Sequence, residues 1–420
     1  MFYICLIKDK NILIYFNMNS TQQSLILATV PILKEHGITL TKYFYQRMFN
    51  GNPELRNIFN LGNQHSGKQQ TALALAVLAY AENIANPAVL MPVLDRIGHK
   101  HVSIDIRPEH YAIVGKHLIG SIEEVLGDAA SPEILDAWAA AYGELAAIMS
   151  GHESDIYASK LQQEHGWIGW RPFTISQKKK ESSEITSFYL APADGGLVPK
   201  HQPGQYISLK VYLPELGINQ IRQYSISNEP DEKHYRISVK KERNAEMNVD
   251  GMISNHLHNQ MEQGDLVEIT APSGNFILPG QLNKPITFIS GGVGLTPFIS
   301  MVSKLVAEKH THGITWIHGC RGREVHAFKS DIDMLANAGT SFSKYIFYNH
   351  CTPEDKLEGI MEGYLDLKTL NSVHHQTETQ YFICGPGAFI EKQLQDLKAF
   401  GVPSNQIFFE EFGPSVLSAN

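Results

Sequence analysis

Residues 96–111, RIGHKHVSIDIRPEHY, include the three histidines His99, His101 and His110. Histidine is the commonest metal ligand in proteins, but it is also an ordinary surface residue or a hydrogen-bonded buried one. In an alanine-rich helical region, a single histidine is more often structural than a ligand. Because His99 and His101 are two residues apart, a helix would place them on different faces. The stretch therefore offers a candidate metal ligand that only the rest of the chain can identify.

A second stretch that could do chemistry is ISGGVGLTPFISM, residues 289–301, with Gly292, Gly294 and Pro297 at a characteristic spacing. Glycines let the backbone approach a pyrophosphate closely, and the helix that follows offers free N–H groups and the positive end of its dipole. A glycine-rich turn alone is a weak signal, because a tight strand-to-helix connection uses the same residues.

The composition limits the classes of protein that the chain can belong to. It has 420 residues, a formal net charge of −8, 43% hydrophobic residues and 19% charged residues. These values are typical of a soluble globular protein with two or three domains. The net charge and the lack of a long basic run argue against nucleic acid as the main partner. The four cysteines form no CxxC pair, which favours reduced thiols and a cytoplasmic location over a disulfide framework or a zinc site.

The first residues, MFYICLIKDKNILIYFN, are apolar but are interrupted by charges at positions 8–10. Neither apolar piece is long enough to span a bilayer, and no signal-peptide cleavage site follows. Asn19 is a good helix-capping type, so we expect the fold to begin near Met18. Residues 1–17 are predicted to lie outside the fold, and a membrane-surface anchor is the weaker alternative.

The hydrophobic pattern divides the chain into two halves. Residues 20–155 have apolar side chains at a spacing near 3.6, which predicts helices, and Ser131 with Pro132 marks one helix start. Five further prolines are predicted to lie at helix starts or breaks: Pro31, Pro53, Pro87, Pro92 and Pro108.

The second half is rich in strands. The segments at 205–213, 234–242 and 265–272 alternate between apolar and polar residues, which predicts a small antiparallel barrel. From about residue 284, the short strands PITFIS, ITWIHG, YIFYNH and QYFICG are mostly followed by helical stretches. This alternation is typical of a parallel sheet with crossover helices.

Residues 167–420 resemble the ferredoxin–NADP reductase superfamily. The motifs PGQYISL, RQYSIS, the glycine turn and CGP stand in the order of that family. Taken singly, the tyrosines of these motifs would be barrel-core aromatics and Cys384 a buried thiol, so the ordered set carries the resemblance. It implies a barrel that binds FAD, followed by a domain that binds NAD(P)H.

The resemblance also implies roles for individual residues. Arg222 would face the FAD pyrophosphate with its planar guanidinium. Tyr224 would pack against the flavin ring, and Ser225 would hydrogen-bond near the reactive nitrogen. Tyr206 would add an aromatic contact, and Cys384 would lie near the nicotinamide. The other residues implied to contact FAD or NAD(P)H are Gln223, Gly251, Ser254, Gly291, Gly292, Val293, Gly294, Leu295, Thr296, Pro297, Gly385, Pro386, Glu410, Glu411, Phe412, Gly413 and Pro414.

The helical half, with YFYQRMFNGNPELRNIFN (43–60), KQQTALA (68–74) and GHKHVS, resembles the globin domain of flavohaemoglobins. The reductase half matches the same family, so the resemblance covers residues 18–420. It implies that His101 is the axial ligand of haem b, while His99 and His110 are expected at the surface. Glu411 departs from the family, which has a cysteine at this position.

The family likeness assigns residues to the two sides of the haem. On the distal side, the Tyr45 hydroxyl would point at iron-bound oxygen, with Gln69 assisting. Phe59 would wedge against the porphyrin, and Leu73 would lie one helical turn beyond Gln69.

On the proximal side, Tyr111 and Glu153 would hydrogen-bond His101 and make its imidazole a stronger donor to iron. An electron-rich axial ligand favours oxygen activation over reversible carriage. Lys100 and Glu410 would lie between the haem and the flavin.

A feature near the nucleotide domain concerns the choice of coenzyme. Arg321 and Arg323 follow a predicted strand at a place where an arginine can read a 2′-phosphate. The hypothesis is that Arg321 improves the use of NADPH; an exposed basic loop is the alternative.

We predict a globin (18–155), a linker (156–166), an FAD-binding β-barrel (167–278) and an α/β NAD(P)-binding domain (279–420). The resemblance implies a nitric oxide dioxygenase with haem b, FAD and NAD(P)H, acting as a monomer on small molecules, without nucleic acid or integral membrane contact. Two other functions stay open. One is the reduction of oxygen or hydroperoxides without nitric oxide. The other is oxygen binding or sensing, with a reductase that only maintains the iron.

Overall fold

The computed structural model describes residues 18–244, 249–280, 283–338, 341–370 and 378–413. The predicted N-terminal extension, residues 1–17, and Pro414 lie outside this part of the chain. Within it, the elements follow one another in a helical block, an antiparallel sheet and a parallel sheet, which is the predicted fold class. None of the described helices combines the length and the hydropathy that a membrane crossing requires.

The first block is entirely helical. Asn19 caps its first helix in a capping box with Gln22, as the residue type predicts. Ser131 likewise caps the last helix by accepting a hydrogen bond from the Ile134 amide. The helices are α1 (Ser20–Gly51), α2 (Leu61–His65), α3 (Lys68–Glu82), α4 (Met91–Ser103), α5 (Pro108–Leu126) and α6 (Pro132–Gln162).

Most of the prolines in this block stand within the first two positions of a helix or 3₁₀ turn, as predicted. The prediction for Pro31 is wrong, because this residue lies inside α1. Proline lacks the N–H that would bond one turn back, which normally breaks or kinks a helix. Here Ile26 and Leu33, on either side of Pro31, are both buried in the same core, and this packing holds α1 together.

Helix α6 also differs from the sequence prediction. It continues to Gln162 and so includes most of residues 156–166, which we predicted to be a linker. Tertiary contacts explain the extra turns. The Tyr157 hydroxyl donates to the Ile106 carbonyl at 2.8 Å, and Lys160 is buried against the following domain.

The second block is a closed antiparallel sheet. Its strand order is β4-β3-β8-β1-β2-β5, and a bridge between Ile226 and Ile237 joins the two edge strands into a barrel. The strands are β1 (Arg171–Lys180), β2 (Ile185–Pro192), β3 (Tyr206–Leu213), β4 (Ile218–Ser225), β5 (Tyr235–Lys240) and β8 (Leu266–Ile269). A short hairpin, β6 (Arg243–Asn244) and β7 (Val249–Asp250), and helix α7 (Met252–Asn259) lie between β5 and β8.

The third block has a parallel sheet in the order β12-β11-β10-β9-β13-β14. The first strand, β9 (Ile286–Gly291), pairs in parallel with both β10 and β13. The order of the strands therefore reverses at β9, because β10 to β12 lie on one side of it and β13 and β14 on the other. Ligands bind at such a switch point, outside the carboxyl ends of the strands. The other elements are β10 (Ile314–Cys320), β11 (Phe342–Tyr348), β12 (Met361–Glu362), β13 (Gln380–Gly385), β14 (Ile407–Glu411), α8 (Thr296–Ala307), α9 (Lys329–Ala336), α10 (Pro353–Leu357) and α11 (Gly387–Ala399).

A fully buried amide joins the helical block to the barrel. Gln220 on β4 donates to the Arg56 carbonyl at 3.0 Å and accepts from the Leu61 amide at 3.2 Å. The neighbouring Asn219 amide donates to Asn57 Oδ1 at 2.8 Å. Since a buried polar group without a partner is costly, these bonds fix how the two domains meet.

Gln220→Ala should therefore lower the free energy of unfolding by about 1–3 kcal/mol, because it removes the buried hydrogen bonds that Gln220 makes to the Arg56 carbonyl and from the Leu61 amide. Urea denaturation of the full chain measures this loss. Gln177→Ala, at an exposed position of β1, is the control and should change stability by less than about 0.5 kcal/mol. Equal stability of the two variants would show that the amide does not hold the domains together.

Candidate active site

A buried carboxylate holds the imidazole of His101. His101 Nδ1 lies 2.7 Å from Glu153 Oε1, and the Tyr111 hydroxyl donates to the same oxygen at 2.6 Å. Glu153 is only 3% exposed, so these two donors replace the water that a carboxylate would otherwise require. Burial, and next the hydrogen bond to Glu153, raise the pKa of Tyr111, which keeps its hydroxyl a donor. With Nδ1 engaged, Nε2 is the nitrogen left for a metal.

The other two histidines of the opening stretch differ from His101. The prediction that His99 faces solvent is wrong. Its side chain is 22% exposed, it lies beside Asp95, and burial lowers its pKa. The reason is that α6 covers this face of α4, with His152 Nε2 2.9 Å from Asp95 Oδ1. His110 lies at the start of α5, as expected, and its Nδ1 accepts from the Arg107 amide at 2.9 Å.

Tyr45 and Gln69 come together, on α1 and α3. Tyr45 is buried, and the side chains of Gln69 and Gln64 lie close to it. Burial raises the pKa of Tyr45 and outweighs the effect of the two glutamines, which lower it, so the phenol stays protonated. Gln64 on α2 was missed at the sequence level, because a glutamine in a short polar helix is usually a surface residue.

Apolar side chains adjoin this polar group. The rings of Phe59 and Tyr45 pack edge to face with centroids 5.8 Å apart, and Phe49 lies 5.5 Å from Phe59. Leu73, one turn beyond Gln69, is half-buried. Thr41 Oγ1 donates to the Gln70 carbonyl at 2.9 Å and so fixes α1 against α3.

The residues present fit a haem. The Nε2 of His101 is available on α4. On α3, the buried Oε1 of Gln69 has no hydrogen-bond partner among the described residues. An unpartnered buried polar atom beside half-buried apolar side chains indicates a ligand with both apolar and polar parts.

The hairpin of β3 and β4 brings the predicted flavin residues together. Its register places Tyr206 opposite Ser225 and Leu209 opposite Arg222, with Tyr224 between them. The Tyr206 hydroxyl is buried and has no partner in the described part of the chain. Gln223, also on β4, instead reaches the helical block, where it donates to Ser103 Oγ at 2.6 Å.

Arg222 has the environment of an anion-binding residue. Burial lowers its pKa, and its guanidinium donates to the Ile221 carbonyl at 2.7 Å. Within the described residues, no carboxylate forms an ion pair with it. A half-buried cation without a counter-ion in the described part of the chain fits the pyrophosphate of FAD.

The second predicted phosphate turn, with Gly251 and Ser254, begins α7. The Ser254 hydroxyl donates to the Gly251 carbonyl at 3.1 Å and accepts from the Glu242 amide at 3.1 Å. Residues 245–248, which precede this turn, lie outside the described part of the chain, so its binding role stays a prediction.

The glycine turn and the CGP motif meet at the switch point of the parallel sheet. Gly292 has a φ of +56°, which favours glycine. A Cβ on Gly294 would lie 2.2 Å from the Cys384 carbonyl oxygen, so only glycine allows the two turns to touch. Residues 291–297 and 384–386 therefore line one crevice. Burial raises the pKa of the Cys384 thiol, which keeps it neutral.

The C-terminal strand β14 brings Glu410 beside Cys384 and Glu411 beside Gly385. Burial raises the pKa of Glu410 to about 7, although the charge of Lys100 acts in the opposite direction. Lys100 Nζ donates to the Gly413 carbonyl at 2.8 Å, so the residue next to His101 contacts the end of the described chain. The Phe412 ring is exposed.

The two arginines proposed for coenzyme choice are both paired with carboxylates. Arg321 forms an ion pair with Glu184 of the barrel. Arg323 binds Asp355 at 2.7 Å and Glu358 at 2.8 Å. The 2′-phosphate of NADPH would have to compete with these carboxylates. The ion pairs therefore weigh against the hypothesis that Arg321 improves the use of NADPH, which stays a hypothesis.

Comparison with known proteins agrees with this geometry. Family models match a globin (residues 42–149), an oxidoreductase FAD-binding domain (172–277) and an oxidoreductase NAD-binding domain (288–395). A Flavohemoprotein from Bordetella parapertussis is 48% identical over 93% of this chain and 97% of its own. One from Bacillus subtilis is 43% identical over 93% of this chain and 96% of its own.

Two solved structures extend the likeness to three dimensions. The flavohemoglobin of Malassezia yamatoensis, solved with bound FAD and heme, has a TM-score of 0.83 at 28% identity and covers 94% of this chain and 99% of its own. The FAD/NAD binding domain of a nitric oxide dioxygenase from Vibrio cholerae has a TM-score of 0.53 at 33% identity and covers 58% of this chain and 99% of its own.

Glu153→Gln should weaken the donation from His101 to a bound haem iron, because a neutral amide polarises Nδ1–H less than a carboxylate does. We expect a lower iron–histidine stretching frequency in resonance Raman spectra of the reduced protein. The midpoint potential of the iron should rise by tens of millivolts, where about 59 mV corresponds to a factor of ten for one electron.

Glu164→Gln, at an exposed site just after α6, is the control and should change neither value. An unchanged stretching frequency in Glu153→Gln would show that Glu153 does not act on the metal.

Proposed function

Because the chain belongs to the flavohaemoprotein family, we propose that it is a nitric oxide dioxygenase, which converts nitric oxide and oxygen to nitrate with electrons from NAD(P)H. It combines a globin with FAD- and NAD-binding oxidoreductase domains, and it is therefore an NAD(P)H- and FAD-dependent haem oxidoreductase. The reductase half also resembles a domain that is named for the proposed activity.

The observation that carries the proposal is the 2.7 Å contact between His101 and Glu153. When a carboxylate accepts a hydrogen bond from one nitrogen of an imidazole, it raises the basicity of the other nitrogen, which faces the metal. Such electron donation favours oxygen activation, whereas an oxygen store needs none. Tyr111 supplies a second donor to Glu153 and keeps the carboxylate oriented.

When bound, the cofactors supply the redox chemistry: the nicotinamide gives a hydride, FAD divides its electron pair, and haem iron uses single electrons on oxygen. The residues that would hold these groups are His101, Phe59 and Leu73 for haem, Tyr206, Arg222, Tyr224 and Ser225 for FAD, and residues 291–297 with Cys384 for the nucleotide. Each nitrate requires one electron in addition to nitric oxide and oxygen, so one hydride suffices for two nitrates.

The protein residues bind, orient and hold protons. Arg222 neutralises the pyrophosphate without a competing carboxylate. The raised pKa of Tyr45 keeps its hydroxyl a hydrogen-bond donor over the whole physiological pH range. A donor aimed at developing negative charge is worth most in a buried site. Burial outweighs the opposite effect that the nearby Gln69 and Gln64 have on the pKa of Tyr45.

The proposal predicts that nitric oxide stimulates NAD(P)H consumption by the aerobic enzyme and that two nitrates form per NAD(P)H. Tyr45→Phe should slow nitrate formation about 100-fold, because it removes the distal donor, and should leave flavin reduction unchanged. Tyr43→Phe on the same helix is the control, since this exposed tyrosine bonds Glu124 at the surface.

Equal NAD(P)H consumption with and without nitric oxide would instead indicate a reductase of oxygen or hydroperoxides. Very slow nitrate formation despite normal haem reduction would indicate an oxygen-binding globin with a maintenance reductase.

A further inference from the structure

Lys160, near the end of α6, is a buried lysine. It is 6% exposed, and its Nζ donates to the carbonyls of Ala271 (2.9 Å) and Pro272 and to Ser273 Oγ (2.7 Å). All three acceptors follow β8 in the barrel, more than 100 residues along the chain. The three N–H groups of the ammonium thus bind one short segment of another domain.

This is a hydrogen-bonded clamp and not an ion pair. In the described part of the chain, no carboxylate lies within ion-pair distance of Lys160, and burial lowers its pKa to about 7. Burying an amine without a counter-ion is costly, and lysine is rarely found fully buried. Three oxygen acceptors offset this cost, which gives the contact a defined geometry.

The clamped segment, residues 270–275, adjoins the flavin site and is called here the bridging segment. Ser273 exchanges two backbone hydrogen bonds with Tyr206, at 2.9 and 2.8 Å. Gly274 has a φ of +104°, and a Cβ there would lie 2.8 Å from the Tyr206 ring. The position of the bridging segment therefore fixes the position of the Tyr206 ring.

The same segment is also bound to α4, the helix that carries His101. Thr270 Oγ1 donates to the Ser103 carbonyl at 2.8 Å, and Asn275 Nδ2 donates to Asp95 Oδ2 at 2.6 Å. Helix α4 thus holds both ends of the bridging segment, while Lys160 holds its middle.

Lys160 also shares a helix face with the residue that orients His101. Glu153 and Lys160 are seven residues apart, which is about two turns of α6 and places both side chains on the same side. One face of α6 therefore contacts His101 through Glu153 and, about two turns further on, the bridging segment through Lys160.

We propose that Lys160 is a positioning residue that sets the separation between the haem and the flavin, by holding the bridging segment and Tyr206 against the helix that orients His101. The step that it controls is the transfer of one electron from reduced flavin to haem iron, in which the flavin is oxidised and the iron reduced. The inference rests on the proposed order of electron flow but not on nitric oxide as the substrate.

The test uses the full-length holoenzyme and the variant Lys160→Met, which keeps the chain length and removes the ammonium. Anaerobic mixing with NADH under carbon monoxide separates flavin bleaching from haem reduction, which carbon monoxide reports by a shift of the Soret band. We expect unchanged flavin bleaching and a haem phase about tenfold slower, as a small misplacement of reacting groups costs rate steeply. Hydrogen exchange at the Tyr206 and Ser273 amides should become faster.

Lys178→Met is the matched control. Lys178 Nζ also donates to three oxygens, of His258 (2.9 Å), Met261 (2.8 Å) and Glu262 (3.2 Å), but all of them lie within the barrel. This variant should leave the haem phase unchanged. A Lys160→Met protein with wild-type haem reduction and wild-type amide exchange would overturn the proposal.

Two further outcomes are decisive. If Lys160→Met loses its cofactors, the second variant Ser273→Ala, which removes a single acceptor, takes its place. It should slow the haem phase to a smaller extent, and an unchanged haem phase with unchanged amide exchange would overturn the proposal.

If the wild-type flavin bleaches but its haem is never reduced, the proposed function fails. Amide exchange at Tyr206 and Ser273 in Lys160→Met then still tests the clamp on its own.

Discussion

The hydrogen bond between Glu153 and His101 joins the proposed metal ligand on α4 to the long helix α6. It selects Nε2 as the nitrogen for a metal, it orients the imidazole, and it requires a buried carboxylate that only a packed helix can provide. Helix α6 brings this carboxylate to α4. Because α6 also continues to Lys160, the element that tunes the proposed iron ligand extends to the reductase half.

The junction between the globin and the barrel is held by buried polar groups. Gln220, Ser103 and Lys160 each bind backbone or hydroxyl groups across it. An apolar interface tolerates sliding, whereas a buried amide or ammonium loses its partners when it moves. Electron transfer between two cofactors needs a fixed separation. A polar junction therefore suits a protein whose domains must keep fixed relative positions.

Local sequence signals predicted much of the architecture. The Asn19 and Ser131 caps, the alternating strands of the barrel and the glycine turn depend on neighbouring residues, so they can be read from the sequence. The residues proposed to bind haem and flavin were predicted from the family resemblance. The structure brings His101, Tyr111 and Glu153 into contact, and it pairs Tyr206 with Ser225.

Tertiary contacts decided the features that the sequence did not reveal. Pro31 stays inside a helix because of packing on both sides, His99 is covered by α6, and α6 is extended by contacts to Ile106 and the bridging segment. Gln220 and Lys160 look like surface residues in the sequence, since polar side chains are buried only where distant partners meet them.

Under the proposed function, one chain holds an iron porphyrin on His101 and supplies it with electrons from a flavin in the next domain. The most direct measurement is the absorption spectrum of the purified, cofactor-supplemented protein before and after anaerobic addition of NADH. We expect a Soret band together with flavin absorbance, followed by flavin bleaching and conversion of the Soret band to that of reduced haem. A protein that shows flavin absorbance without a Soret band, or whose haem stays oxidised after the flavin is bleached, would contradict this expectation.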